Sequence, residues 1–201
     1  MIFLLQLDLA CLPEGYEGPR KRGVVQLFYC NTDDGLCPTW EPFSGTHEAR
    51  LVSELVTIKR PASVSVLEQR FILSWEKIKD TPSYQSLHMF GIVTHFDPAT
   101  EHLSIRSQDP TLLFEGLDLD IGLDDEEPLI SDANLGDKLG GWPAWQTNAQ
   151  PPACPTCESP MALVMQLSSQ ANLRYMFGDA ETGFLTQCPN HPEKMGFSWG
   201  D

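Results

Sequence analysis

Basic residues are scarce in this chain: 13 lysines and arginines stand against 28 aspartates and glutamates, a formal charge of −15 at pH 7. A nucleic-acid binder needs basic surface to displace the counterions of phosphate, so direct binding of DNA or RNA is not expected. An acidic surface suits docking on a basic protein partner instead. Long apolar runs are lacking too. The N-terminus offers only a short, mostly apolar stretch before Asp8, well below the roughly 20 residues of a membrane-spanning helix. No Lys or Arg precedes Arg20, so the basic region of an export signal is missing, as is its longer apolar core. Asp8-Leu9-Ala10-Cys11 loosely has the form of a lipoprotein cleavage box, but an aspartate stands where an aliphatic residue belongs. A cytoplasmic protein with no membrane contact is expected. The chain also lacks a Gly-rich phosphate loop and a kinase signature. His47, His88, His95 and His102 share no short-range metal spacing and read as ordinary surface or half-buried histidines.

What is present favours short elements and many turns. Apolar residues make up 41 %, with 15 glycines and 16 prolines in 201 residues, which points to strands and loops rather than long helices. Laying Met1 over Met161 aligns Met-Ile-Phe-Leu-Leu-Gln-Leu with Met-Ala-Leu-Val-Met-Gln-Leu. Gln6 then matches Gln166, and Gly23 matches Gly183, each glycine 17 residues after its glutamine. An apolar, strand-like run follows each glycine and ends in Cys30 or Cys188. Self-similarity at a kept spacing marks a structural repeat, although short apolar runs can also look alike by chance. The expected organisation is one domain, 1–201. It has pseudo-repeats at about 1–60 and 139–201, a middle region 61–114 and an acidic linker 115–137.

Beyond the matched strands, 49–55 and 70–75 also read as strands, rich in branched and aromatic residues. Pro82 to Phe90 reads as a short helix capped by Thr81. Further strands are expected around 88–93 and 103–105, with another short apolar run at 112–114. From Glu115 to Asp137 there are nine acidic residues and no basic one. The Asp-x-Asp-x-Asp-Gly spacing of a calcium loop is absent there, so a solvated linker is expected.

The most informative pattern is Cys154-Pro155-Thr156-Cys157 with Cys188-Pro189-Asn190-His191. Two ligands three residues apart on a tight turn supply two adjacent corners of a tetrahedron, and a second such turn supplies the other two. An antiparallel hairpin between them would bring the turns together as a zinc-ribbon-like site. The expected cofactor is one structural Zn2+ held by Cys154, Cys157, Cys188 and His191. Four protein ligands close the shell, whereas catalytic zinc keeps a position for water. His191-Pro192-Glu193 has the His-x-Glu form of zinc deaminases, but there that element precedes the Cys pair, and here the order is reversed. No catalytic residue is assigned. Cys30 and Cys37 occupy the places of Cys188 and His191 in the first repeat. Their partner Cys-x-x-Cys would lie before Met1, so they are expected to be unmetallated. Trp75, Trp142 and Trp145 are either core or lid residues or the lining of a partner groove.

Several of these residues together resemble the YwqG-like proteins. They are Leu139-Gly140-Gly141-Trp142-Pro143-Ala144-Trp145-Gln146 ahead of the Cys pair, then Leu163-Val164-Met165-Gln166-Leu167, Phe177-Gly178-Asp179 and Gly183. Near the start they are Phe3 to Ala10, Gly23 to Cys30 and Arg50-Leu51-Val52. The Gly-Gly-x-Pro and Cys-pair elements are also distantly similar to the programmed-cell-death-protein-two family. The resemblance implies a mainly β fold with some α, roll-like and built of short antiparallel strands on an internal duplication. It also implies, by analogy, a protein-holding role. This chain departs from the pattern at its start, where the glycine-rich turn and upstream strand are missing. Either they have been shed or Met1 lies inside a longer reading frame. The function expected is a non-enzymatic protein-interaction module, chaperone-like or immunity-like. The alternative is an enzyme whose site assembles only in the fold.

Overall fold

The computed structural model describes residues 1–16, 22–30, 37–53, 67–80, 92–97, 99, 102–107, 121–124, 127–130, 134–145 and 151–200. They fall into two compact units. The first comprises Met1–Lys77, Gly136–Gly140 and Pro151–Gly200; the second comprises Ile78–Leu135 and Gly141–Gln150, with Asp201.

In the first unit, β1 (Ile2–Asp8), β2 (Val24–Tyr29) and β3 (His47–Val52) form an antiparallel meander. Simple alternation would place Leu4 and Leu5 on opposite faces, yet both are buried. The register of β1 on β2 shifts between Phe3 and Leu5, and this extra residue resets the phase. Ile2, Leu4, Leu5 and Leu7 therefore all reach the core. A one-turn 3-10 helix, Leu9–Cys11, follows, its first turn capped by the Asp8 carboxylate accepting from the Ala10 amide. The second sheet runs β11-β10-β9-β8, with β8 (Lys138–Leu139), β9 (Ala162–Ser168), β10 (Thr182–Gln187) and β11 (Met195–Gly200) all antiparallel. β9 lies between two partners and is buried from Leu163 to Leu167. The buried Gln166 donates from Nε2 to the Gly136 carbonyl at 2.9 Å, which meets the requirement that a buried amide be bonded.

Side chains of both sheets make one core, in which Val25, Leu27, Phe177, Leu185 and Phe197 are fully buried. The Tyr29 ring meets Tyr175, Phe177 and Phe197 edge-on, with centroids 5.3 to 5.9 Å apart, the geometry ring quadrupoles favour. Gly183 on β10 makes this possible. A Cβ there would lie 2.7 Å from Phe197 and 3.0 Å from Phe177. Gly23 serves a different purpose: it takes φ +107° ahead of β2, and its carbonyl accepts from the Leu9 amide at 2.9 Å. The two glycines matched by sequence spacing are thus not equivalent in structure. The Gly23 carbonyl closes the turn into β2, whereas Gly183 already lies within a ladder, opposite Leu167.

In the second unit, β4 (Ile92–Asp97) pairs with β5 (His102–Ser107), and β6 (Ile121–Asp124) with β7 (Glu127–Ile130), both antiparallel. The latter pair lies inside the acidic stretch read from sequence as a linker; its register sets Ile121 opposite Ile130. Asp80 accepts from the Trp142 amide at 2.8 Å. Gly141, at φ +74°, sits so close to that carboxylate that a Cβ would collide with it.

The fold is mainly β with almost no helix, and among the described residues the 3-10 turn is the one helical element. The candidate helix at 82–90 and the apolar run at 112–114 lie outside the described residues. Residues 70–75 are not a strand. Phe71 is 75 % exposed and Leu73 is 92 % exposed, with no ladder partner among the described residues to hold them. No described helix is long and apolar enough to cross a membrane.

Candidate metal centre

Each half of the site is a turn that closes on its own backbone. In the first, the Glu158 amide donates to the Cys154 carbonyl at 2.8 Å, and the Cys154 amide donates to the Ser159 carbonyl at 2.9 Å. Glu158 takes φ 58°, the left-handed position that returns the chain toward β9. The second half caps the end of β10. There the Cys188 amide donates to the Lys194 carbonyl at 3.0 Å, and the Lys194 amide to the His191 carbonyl at 2.8 Å. Gln187, itself buried, donates from Nε2 to the Pro192 carbonyl at 2.6 Å and pins the far side of the loop. β9 and β10 are paired neighbours, so the two turns meet at one end of the sheet.

Cys154, Cys157, Cys188 and His191 come together, one ligand atom from each and all within 4.8 Å of one another. Sγ of Cys157 and Sγ of Cys188 are 3.6 Å apart. A tetrahedral zinc–thiolate pair, at about 2.3 Å per bond, would set them about 3.8 Å apart. The His191 atom facing the thiols is Nδ1, at 3.8 Å from Cys188 Sγ and 4.0 Å from Cys154 Sγ. The Thr156 amide points at Cys154 Sγ (3.4 Å) and the His191 amide at Cys188 Sγ (3.3 Å). At Cys188 that donor opposes the larger effect of burial, which disfavours the thiolate. Cys154 and Cys188 are buried, whereas Cys157 and His191 are half-buried.

The thiols differ in acidity. Hydrogen bonds from Ser159 hold Cys157 down to about 6, while burial pushes Cys188 up. A divalent cation among them would reverse the Cys188 penalty by supplying the missing positive charge. Three thiols and one imidazole suit zinc and other thiophilic ions far better than calcium or magnesium, which want oxygen. The structure thus bears out the four residues as a cluster able to hold a metal ion.

The tryptophans are placed differently. Trp145 is buried, Trp142 is half-buried, and Trp75 packs half-buried against the core of the first unit. Gly196-Phe197-Ser198-Trp199-Gly200 has the Gly-x-Ser-x-Gly spacing of a nucleophile elbow. It lies wholly within β11, with Ser198 opposite Phe184 in the ladder. A nucleophile elbow needs a sharp turn from strand to helix, so this spacing carries no catalytic meaning here.

Fold and site together define a mainly β protein with a Cys/His cluster at one end of a sheet. A family model described as a domain of unknown function (DUF1963) matches residues 1–201, and the chain belongs to that family. Neither a curated protein nor a solved structure matches it.

Proposed function

We propose that this chain is a cytoplasmic, non-enzymatic protein-interaction module, chaperone-like or immunity-like, whose C-terminal hairpin is held by structural zinc in a zinc-ribbon-like site. The observation that carries the interaction reading is an exposed apolar run. Phe71, Ile72 and Leu73 all stand open to solvent. Apolar groups gathered in this way mark protein contact sites more often than idle surface. The charge of −15 suits a basic partner. The closed set of four protein ligands suits a structural rather than a catalytic ion.

Kinship with the YwqG-like proteins, and an internal duplication, belong to the same proposal. Two features of the strands support the duplication. Laid over Met161, the register shift at Leu4 in β1 falls on the shift at Val164 in β9. The loop that follows each middle strand also closes alike, by Cys30 amide to Thr46 carbonyl at 2.8 Å and Cys188 amide to Lys194 carbonyl at 3.0 Å.

Two measurements test the proposal. Elemental analysis of the purified chain is expected to return about one zinc per molecule, lost in Cys154→Ser. Affinity capture is expected to return a stoichiometric basic protein with the wild-type chain and to lose it with Phe71→Ser/Leu73→Ser. Equal capture by both chains would remove the exposed run as the contact.

A further inference from the structure

We propose that Cys30 and Cys37 are a dithiol site that reversibly forms an intramolecular disulfide. Their sulfurs are 3.5 Å apart, against about 2.05 Å in a disulfide. Both cysteines are tied to the same residue. The Cys30 amide donates to the Thr46 carbonyl at 2.8 Å, and the Thr46 hydroxyl donates to the carbonyl of Pro38, next to Cys37, at 3.3 Å. Ser44 Oγ, 2.7 Å from Thr46 Oγ1, braces the same hydroxyl. Sulfurs held side by side by the backbone react with each other at high effective concentration. The pair is not part of the four-ligand cluster: among the described residues, no third Cys, His, Asp or Glu joins it to make a metal site. Both thiols are half-buried, so a small oxidant can reach them.

The co-reactant is a small-molecule disulfide such as oxidised glutathione. One cysteine thiolate attacks a glutathione sulfur, forming a mixed disulfide and releasing one glutathione thiolate. The second cysteine thiolate attacks the protein sulfur of that mixed disulfide and expels the other. Two protein thiols lose two protons and two electrons, and the electrons reduce one glutathione disulfide to two thiols.

The full chain is equilibrated in glutathione buffers from fully reduced to largely oxidised, quenched with N-ethylmaleimide and mapped by mass spectrometry after trypsin. Cys30 and Cys37 share one tryptic peptide, 23–50, which contains no other cysteine. Exposed Cys11 is the internal reference for an unpaired thiol. The expected result is a 23–50 peptide lighter by two hydrogens, with both cysteines protected together. Its midpoint should lie at a glutathione ratio at least about tenfold more reducing than that which half-modifies Cys11. In Cys37→Ser, Cys30 should carry only a glutathione adduct and follow Cys11. Cys30 and Cys37 that stay alkylated, or carry separate adducts in step with Cys11, would overturn the assignment.

Discussion

Lowering the pH from 7.5 to 4 should cost this protein about 3 kcal/mol through His47 alone. His47 is 7 % exposed, neither ring nitrogen has a hydrogen-bond partner among the described residues, and its ring meets Phe197 edge-on at 5.5 Å. Burial therefore pushes its pKa down from 6.5 to about 4. The group is a base with a depressed folded-state pKa, so the unfolded chain binds the extra proton. Its contribution to stability is fully present above pH 6.5 and is lost as the pH falls toward 4. A tenfold change in proton affinity is worth about 1.4 kcal/mol, which gives a loss of about 2 kcal/mol at pH 5 and about 3 kcal/mol at pH 4. The assay is urea unfolding of the wild-type chain and His47→Leu from pH 7.5 to 4.5. Acid also protonates the metal ligands, but that cost is common to both chains and cancels in their difference. The wild type should be the more pH-sensitive of the two by about 2 kcal/mol at pH 5. A difference that stays flat across the range would refute the claim that this imidazole is buried neutral and unpartnered.

Cys188→Ser should abolish stoichiometric zinc and lower the melting temperature, because metal binding at a structural site is folding free energy; a chelator should reproduce the shift in the wild type and leave the variant unmoved. Gly183→Ala, which sets a methyl 2.7 Å from the Phe197 ring, should destabilise by about 1–3 kcal/mol in urea unfolding. Phe177→Ala should cost about 3–5 kcal/mol, since that ring is fully buried among aromatic neighbours. Gly141→Ala should destabilise more than Gly15→Ala: both have positive φ, but only Gly141 would also strike a carboxylate, that of Asp80.

The residues that could be recognised in the sequence were those whose pattern is local. The ligand spacing is short because each turn must present two donors at once, so Cys154, Cys157, Cys188 and His191 stand out without knowledge of the fold. β1, β2 and β9 are dense in branched and aliphatic residues and could be read directly. β11 could not, because Met195-Gly196-Phe197-Ser198-Trp199-Gly200 holds two glycines and looks like a turn. Its identity as a strand depends on β10, whose register accepts all six residues. Residues 70–75 show the converse. Arg70-Phe71-Ile72-Leu73-Ser74-Trp75 has strand composition, but without a ladder partner among the described residues it forms no strand, and Phe71 to Ser74 stay exposed. Strand propensity measures fit to a neighbour, and the neighbour lies elsewhere in the chain.

The same distinction bears on the proposed duplication. Matching Gly23 with Gly183 implies an offset of 160 residues, yet the middle strands with their cysteines, and the third strands, obey others. Leu5 lies opposite Leu27 and Met165 opposite Leu185, so the middle strands correspond at 158, and at that offset Cys30 falls on Cys188. The third strands match at 148, with His47 opposite Tyr29 and Met195 opposite Gln187. The first strands alone keep 160, through Leu4 and Val164. An ancient duplication would diverge in this way, because loops tolerate added and lost residues whereas ladder register does not. The sites then divide along the same line. The short loop after β10 holds Cys188 and His191 against a second turn, where four donors converge. The longer connection after β2 brings Cys37 back to Cys30, where two thiols meet. Thiols held side by side are suited to bonding each other, so under the proposed duplication corresponding hairpin ends would supply a metal knuckle in one half and a redox pair in the other.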